Sequence, residues 1–381
     1  MTRLLRKVST VFRSVLRLSS RILLSFDSGI SVSESPTDDD RRLHSAHLVR
    51  PLFPSTRDVV RFHRIVVIVT AFLQSISQTA TFRRKLPDPA HLTLEANLMR
   101  IAGIQTDVVF RDINANLTAL ETHVRSEVAQ GTQLTIFPEC FNTGYCFDSL
   151  EEAMTCAESI PGPTTDRIAS LCKDLNTFVV CGMLEKSGEQ LFNAAVLVGP
   201  EGLIGSYRKV HLPYLGVDRF TTPGDRPFEV FEVEGVRIGM LICYDGGFPE
   251  ASRVLALLGA DLILLPTNWP PGGDYMAQFS INTRAMENGV YFAAVNRIGT
   301  ENGFRFIGKS RICNPHGATL TSIDGNAPGI IRADIDLAAA RAKLIVRIPG
   351  KHMIDRMADR RPEMYGAICD PHSLKRPGRT T

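Results

Sequence analysis

The sequence is poor in the features that announce several common functions. It has one tryptophan, and aromatic residues make up only 7% of its 381 positions, which is thin for a protein that stacks bases on aromatic platforms. Its eight cysteines form no CxxC pair, and its nine histidines form no cluster at zinc-ligand spacing. Neither a thioredoxin-like centre nor a structural zinc site is therefore read from it. It contains no GxGxxG or GxxxxGK[ST] loop and no internal repeat, so the usual phosphate cradles are missing. The longest apolar stretch, Ile65 to Leu73, is far short of the roughly 20 residues that span a bilayer. No membrane partner is expected.

Charge is unevenly shared. The net charge of +3 arises because residues 1–98 hold 15 Lys and Arg against 8 Asp and Glu, while the remainder holds 28 against 32. The mildly acidic remainder argues against a nucleic-acid partner. The first 26 residues carry six basic residues and no acid, with Leu4, Leu5, Val8, Val11, Phe12, Val15 and Leu16 interleaved. That spacing suits an amphipathic basic helix and is similar to an organelle transit peptide. The blander reading, a disordered tail or translated upstream sequence in a cytoplasmic protein, is preferred. Residues 27–60 read as linker.

What is present from residue 99 onward is an alternation of short buried strands and helices. Strands are expected at 99–105, 134–137, 178–181, 194–198, 236–242, 262–265 and 291–295, and helices at 114–129, 164–175, 249–258 and 276–288. Such alternation predicts a layered α/β fold. Turn-rich strand pairs near 178–207 and 306–335 imply hairpins, hence mixed sheets rather than a purely parallel one. The expected organisation is an N-terminal extension 1–98, one domain over 99–366, and a C-terminal tail 367–381. With 44% hydrophobic residues, that domain has ample material for a core.

Three residues stand out. Cys243 follows the apolar run Val236 to Ile242 and precedes Tyr244-Asp245-Gly-Gly-Phe-Pro249 and a helical run. A side chain on a strand-to-helix turn is pushed outward, and the N–H groups of the turn are free to stabilise an oxyanion. Taken alone, a buried structural cysteine would be the commoner outcome. Glu139 ends the apolar run Leu134 to Pro138 with a carboxylate, a costly residue to bury without a partner or a task. Lys209 lies in Tyr207-Arg-Lys-Val-His-Leu212, where a solvated lysine is the ordinary alternative.

Together these segments resemble the three signatures of the nitrilase, or carbon–nitrogen hydrolase, superfamily. The matching stretches are Phe137-Pro-Glu139 with Thr143-Gly-Tyr145, Tyr207-Arg-Lys209-Val-His-Leu212, and Leu241-Ile-Cys243-Tyr-Asp245 with Phe248-Pro-Glu250. The resemblance runs on through Arg284-Ala-Met-Glu287-Asn288, Asn296-Arg297, 329–337 and Asp359-Arg-Arg-Pro362. It implies a four-layer αββα sandwich with two stacked mixed sheets, and a homodimer or higher homo-oligomer. It implies Glu139 as general base, Lys209 as oxyanion-stabilising cation and Cys243 as nucleophile, with no metal or organic cofactor. Many relatives carry a second glutamate after the lysine. The loop here, Leu212 to Asp225, has none, and Asp218 is the nearest acid.

The family includes amidases, carbamoylases and nitrilases. True nitrilases usually carry Trp-Glu after the cysteine, whereas this chain has Tyr244-Asp245. A small amide is therefore the expected substrate, with a carbamoyl compound as the alternative and a nitrile behind both. Arg219, Arg297 and Arg305 are candidates to meet a substrate carboxylate. Tyr145, Asp218, Tyr244, Asn268 and Trp269 are the supporting or substrate-binding candidates, Trp269 as a pocket wall or as packing. Two other classes remain: a catalytically silent binding or assembly module, against which the intact triad argues, and a thiol redox protein, against which the missing CxxC argues. Deleting residues 1–98 is expected to leave a folded, active enzyme, checked by comparing solubility and turnover with the full-length chain. An inactive or insoluble truncation would make the extension part of the domain.

Overall fold

The computed structural model of the protein describes residues 98–378. The basic segment 1–26, the linker 27–60 and the apolar stretch 65–73 lie outside the described residues. In chain order the strands are β1 (Leu98–Gln105), β2 (Leu134–Ile136), β3 (Phe178–Ser187), β4 (Gln190–Gly199), β5 (Gly202–Arg208), β6 (Val230–Val233), β7 (Val236–Met240), β8 (Leu262–Thr267) and β9 (Tyr291–Asn296). They continue as β10 (Thr300–Glu301), β11 (Phe304–Arg305), β12 (Arg311–Cys313), β13 (Thr319–Ser322), β14 (Gly329–Asp336), β15 (Ile345–Ile348) and β16 (His352–Ile354). The helices are α1 (Ile113–Val128), α2 (Leu150–Met154), α3 (Pro163–Leu175), α4 (Pro249–Leu257), α5 (Ile281–Asn288) and α6 (Leu337–Arg341).

Two six-stranded sheets carry the fold, ordered β14-β1-β2-β3-β4-β5 and β13-β12-β9-β8-β7-β6. Each has three parallel strands at its centre, β1-β2-β3 and β7-β8-β9, flanked by antiparallel neighbours. The central strands are apolar over most of their length because both faces are covered there; Arg100, Lys186 and Arg237 mark where a face meets solvent. Alternate residues of one strand serve different layers. On β3, Val180 joins the core between the sheets, while Val179 and Cys181 face the helices α1 and α3. Across the sheets, Ile101, Ile136 and Leu197 belong to one cluster with Ile238, Met240, Leu264 and Val295. Gly103 allows this close approach, since a Cβ there would lie 2.6 Å from Val295.

The outer layers follow local signals in the sequence. Helix α1 starts where the Asp112 side chain accepts from the Ala115 N–H, and α3 and α4 each open with proline, whose missing N–H costs nothing at that position. Helix α3 stops at Asn176 and α5 at Gly289, both left-handed, a common way to end a helix. α1 packs Leu117, Leu120 and Val124, and α3 packs Ile168, Leu171 and Cys172, on the first sheet. Ala251 and Leu255 of α4 and Ile281 and Ala285 of α5 join the core of the second. The result is an αββα sandwich of two stacked mixed sheets. The expected hairpins are the β3-β4-β5 meander and the β12-β13 pair. Strands β3 and β4 run further than their apolar runs predict, because a hairpin ladder holds residues up to Ser187 and Gln190. Among the described residues no helix is long and apolar enough to cross a membrane.

Candidate active site

The three singled-out residues converge at one end of the sandwich. Glu139 comes shortly after β2, Lys209 directly after β5, Cys243 shortly after β7 and Asn268 directly after β8. All four follow the carboxyl ends of their strands, where α/β sheets open a crevice for ligands. The loop carrying Glu139 lies directly on β3. A Cβ at Gly182 would come within 2.6 Å of Glu139 Cα and of the Cys140 nitrogen, so this close packing of backbone on backbone needs a glycine.

Cys243 begins a one-turn helix, Cys243–Gly247, and has φ of 49°. A non-glycine residue in this left-handed region is strained, by about 1–3 kcal/mol, and persists only where its surroundings enforce it. Asp245 supplies that enforcement. Its carboxylate is fully buried and accepts from the Ile242 N–H (3.0 Å), the His211 N–H (2.9 Å) and the Tyr207 hydroxyl (2.9 Å), with His211 Nδ1 at 2.7 Å. The His211 ring lies flat on Phe248, 3.7 Å between centroids. One side chain thus ties the turn that bears Cys243 to the segment that bears Lys209.

The charged cluster is buried. Glu139, Lys209 and Asp218 are all inaccessible to solvent. Lys209 Nζ donates to Glu139 Oε1 at 2.7 Å and to Asp218 Oδ2 at 2.5 Å. Asn193 Nδ2 donates to the same Glu139 oxygen at 2.7 Å and to Asp218 Oδ1 at 2.9 Å. The Tyr145 hydroxyl donates to Asp218 Oδ2 at 2.8 Å. Glu139 Oε2 is buried and has no hydrogen-bond partner in the protein. The turn Gly216–Arg219 holds the Asp218 carboxylate against the Tyr145 hydroxyl.

Burial raises the Glu139 carboxyl above the usual glutamate range; the Lys209 charge opposes this, the Asp218 charge adds to it, and the hydrogen bonds from Lys209 and Asn193 oppose it. Burial also works against the Lys209 ammonium, yet the Asp218 and Glu139 carboxylates outweigh it and hold lysine in its charged form. The Cys243 thiol is pushed up to about 12 by burial and by the Glu139 charge, against the pull of Lys209, Thr267 and the Asn268 backbone. The Thr267 hydroxyl makes no hydrogen bond of normal geometry, but it sits close enough to the sulfur to favour its ionised form. At neutral pH the sulfur therefore carries its proton, and its use as a nucleophile requires a base beside it.

The supporting candidates separate. Tyr145 is buried against Asp218, and its backbone N–H donates to Glu301 Oε1 at 2.7 Å. Asn268 is buried and donates to the Glu139 carbonyl at 2.9 Å, holding the loop that bears Glu139. The Tyr244 ring is exposed and meets Phe248 edge-on. Trp269 is 4% exposed and joins the same apolar cluster as Cys243. Of the three arginines weighed for a substrate carboxylate, Arg297 is fully buried and bound to Glu301 (2.7 Å) and Asp107 (2.8 Å), which commits it to the scaffold. Arg219 donates to the carbonyls of Gly216 and Phe147, and Arg305 is exposed on β11. Asn193 and Glu301 were not read from the sequence. Asn193 had a signal, the one strongly polar residue in the apolar run Leu191 to Val198; Glu301 had none.

The carbon-nitrogen hydrolase family model matches residues 100–343. The chain belongs to the carbon–nitrogen hydrolase family. Among its relatives, this hydrolase is 38% identical over 269 residues to a nitrilase of Pyrococcus abyssi, covering 70% of this chain and 99% of that one. It is 30% identical to an N-carbamoylputrescine amidase of Solanum lycopersicum, covering 71% and 95%. Among solved structures it is similar to an amidase from Nesterenkonia sp., at 27% identity and a TM-score of 0.60, over 73% of this chain and 99% of that one. A variant of that amidase carries the acetamide moiety of fluoroacetamide on its active-site cysteine. The αββα architecture and the nitrilase-superfamily membership inferred from the motifs hold, and the chain is an enzyme that hydrolyses carbon–nitrogen bonds.

Proposed function

We propose that this hydrolase cleaves the C–N bond of a small amide with Glu139, Lys209 and Cys243 as its catalytic residues. The observation that carries the reading is the division of labour on Glu139. One oxygen is held by Lys209 and Asn193, while the other is buried without a partner, as a proton-exchanging base must be. Lysine has three N–H donors, and two are taken by Glu139 and Asp218, which leaves one for an oxyanion. Asp218 acts in place of the second glutamate of relatives, keeping Lys209 charged and in position. Tyr145 and Asn268 support Asp218 and the Glu139 loop. No cofactor takes part in this chemistry.

In this mechanism the Cys243 sulfur attacks the amide carbon as its proton passes to Glu139. The carbonyl π electrons move onto oxygen, and the oxyanion is stabilised by Lys209 and the backbone N–H of Tyr244. Removing one such donor commonly costs about a hundredfold or more in rate. The C–N bond breaks as Glu139 returns the proton to nitrogen, releasing ammonia or an amine and leaving a thioester on Cys243. Glu139 then takes a proton from water, whose oxygen attacks the thioester. Collapse of this second intermediate expels the sulfur, which regains its proton from Glu139, and the carboxylic acid leaves.

An amide is preferred to a nitrile because it already carries the oxygen that becomes the oxyanion beside Lys209. The Nesterenkonia amidase and the Solanum carbamoylputrescine amidase support amide or carbamoyl substrates, whereas the name of the Pyrococcus relative favours a nitrile. Matched amide, carbamoyl and nitrile forms of one side chain separate these readings through kcat/KM. The amide or carbamoyl form is expected to lead; a nitrile ahead by more than about tenfold, roughly 1.4 kcal/mol in transition-state binding, would reverse the substrate assignment. Cys243→Ala is expected to abolish turnover with an unchanged fold by circular dichroism, and residual activity would remove the nucleophile assignment.

Self-association belongs to the same reading. Val254, Leu257 and Leu258 at α4 and Met286 on α5 are exposed on the outer helix layer, beside a cavity of about 780 Å³ whose lining includes Arg253, Tyr365 and Ile368. An exposed apolar patch of this kind marks an interaction surface. Light scattering is expected to give at least a dimer, and Leu257→Glu is expected to shift it toward monomer.

A further inference from the structure

Asn193 is a second group, beside Lys209, whose donor reaches both carboxylates at once. It lies on β4, 1% exposed, and its amide nitrogen bridges Glu139 Oε1 and Asp218 Oδ1 at 2.7 and 2.9 Å. Its amide oxygen, turned the other way, accepts from Cys140 Sγ at 3.6 Å. Reversing the amide would set its oxygen against two carboxylates, so Cys140 and the carboxylates together specify one orientation. The backbone carbonyl of the same residue accepts from the Lys209 N–H at 2.8 Å. One residue therefore contacts all three members of the charged cluster.

The arrangement has a consequence for the base. Two carboxylates share a single ammonium, so the cluster holds one negative charge that is not neutralised. A second donor on Glu139 Oε1 that brings no charge stabilises the carboxylate while leaving the count of ions unchanged. It also removes a choice. With Lys209 and Asn193 both on Oε1, turning the carboxylate out of this orientation would break two short hydrogen bonds, so the oxygen at the Oε2 position is the one left to exchange protons. We propose that Asn193 is a positioning residue for the reaction: it fixes the orientation of the Glu139 carboxylate, so that one oxygen position serves as base, and helps keep that group ionised. This rests on the assignment of Glu139 as the base.

The groups that bear on Glu139 come from every element packed around it: Lys209 after β5, Asp218 in the turn 216–219, Asn193 on β4, Cys140 and Tyr145 on its own loop, and Cys243 after β7. Only Lys209 among them is a cation, and the Asn193 hydrogen bond acts in the same direction as Lys209, favouring the carboxylate. Losing it must therefore raise the Glu139 pKa. The base is active when ionised, so the acid limb of the rate profile must move to higher pH.

The test uses Asn193→Leu, which keeps the approximate shape and removes the donor, and Asn193→Asp, which keeps the shape and adds a third acid. Two pH profiles are read for each: kcat/KM, and the rate at which a haloacetamide alkylates Cys243, which needs no turnover. In both variants the acid limb is expected to rise by about one unit, the change that follows from removing one hydrogen bond to the charged form. Below that limb the rate should fall about tenfold relative to the parent. If Asn193→Leu does not fold, Asn193→Asp carries the test alone. An acid limb that stays in place while only the melting temperature falls would make Asn193 a structural residue and overturn the proposal. Glu139→Gln separates the two layers of inference: it should remove the acid limb altogether. A limb that survives Glu139→Gln disproves the base itself, whereas a limb lost there but unmoved in the Asn193 variants disproves only the role of Asn193.

Discussion

The buried contact between Lys209 and two carboxylates is the constraint that the rest of the site answers to. Moving an isolated ion into the interior costs several kcal/mol even after relaxation, and a pair repays this only with good geometry and with its remaining donors and acceptors satisfied. Here the ammonium lies 2.7 Å from Glu139 and 2.5 Å from Asp218. The surplus negative charge is met by neutral donors, the Asn193 amide and the Tyr145 hydroxyl. A buried charge cluster of this composition is held together by hydrogen bonds that add no further ions. The one oxygen outside this accounting, Glu139 Oε2, is the oxygen to which the proposed mechanism gives the proton.

Holding such a cluster rigid takes a second set of interactions. Gly182 lets the Glu139 loop lie on β3, and Asn268 grips the Glu139 carbonyl from the opposite sheet. Asp245 joins the Cys243 turn to His211 and Tyr207. The Arg297–Glu301 pair, both buried, offers Glu301 Oε1 to the N–H groups of Tyr145 and Cys146 at 2.7 and 2.6 Å. Tyr145 thus acts as a link between the Arg297–Glu301 pair and Asp218. Most of these contacts tie a loop at the end of one strand to another strand or to the loop that follows it, which is how a sandwich of two sheets can hold a fixed geometry on irregular backbone.

The state of the sulfur sets the kind of catalysis. Cysteine enzymes that keep a preformed thiolate lower the thiol pKa with a cation or a helix N-terminus. In this site burial and the neighbouring Glu139 charge override Lys209 and keep the proton on sulfur. In the proposed mechanism proton removal and carbon–sulfur bond formation then proceed together, with Glu139, raised by burial, as the base. The same burial that makes the thiol a poor acid makes the carboxylate a better base, so one physical cause adjusts both groups.

By itself the sequence determined the class of fold and the family, and it singled out the residues proposed to react. Alternating apolar runs and capped helices are local properties, and Glu139, Lys209 and Cys243 each stand in short segments with a recognisable pattern. The turn that bears Cys243 was legible because a strand, a cysteine, two glycines and Pro249 occur in succession. What only the tertiary structure decided is which polar group bonds which. Asn193 lies 54 residues from Glu139, and Glu301 lies 156 from Tyr145; nothing in the composition of those segments marks the pairing. Trp269 and Arg297 show the same limit from the other side. Trp269 read as pocket wall or packing and Arg297 as a substrate partner; assembly put Trp269 in the apolar cluster that also holds Cys243, and Arg297 in a buried ion-pair network. Burial and partner choice depend on how separate strands stack, and stacking is a property of the assembled sheets rather than of any stretch of chain.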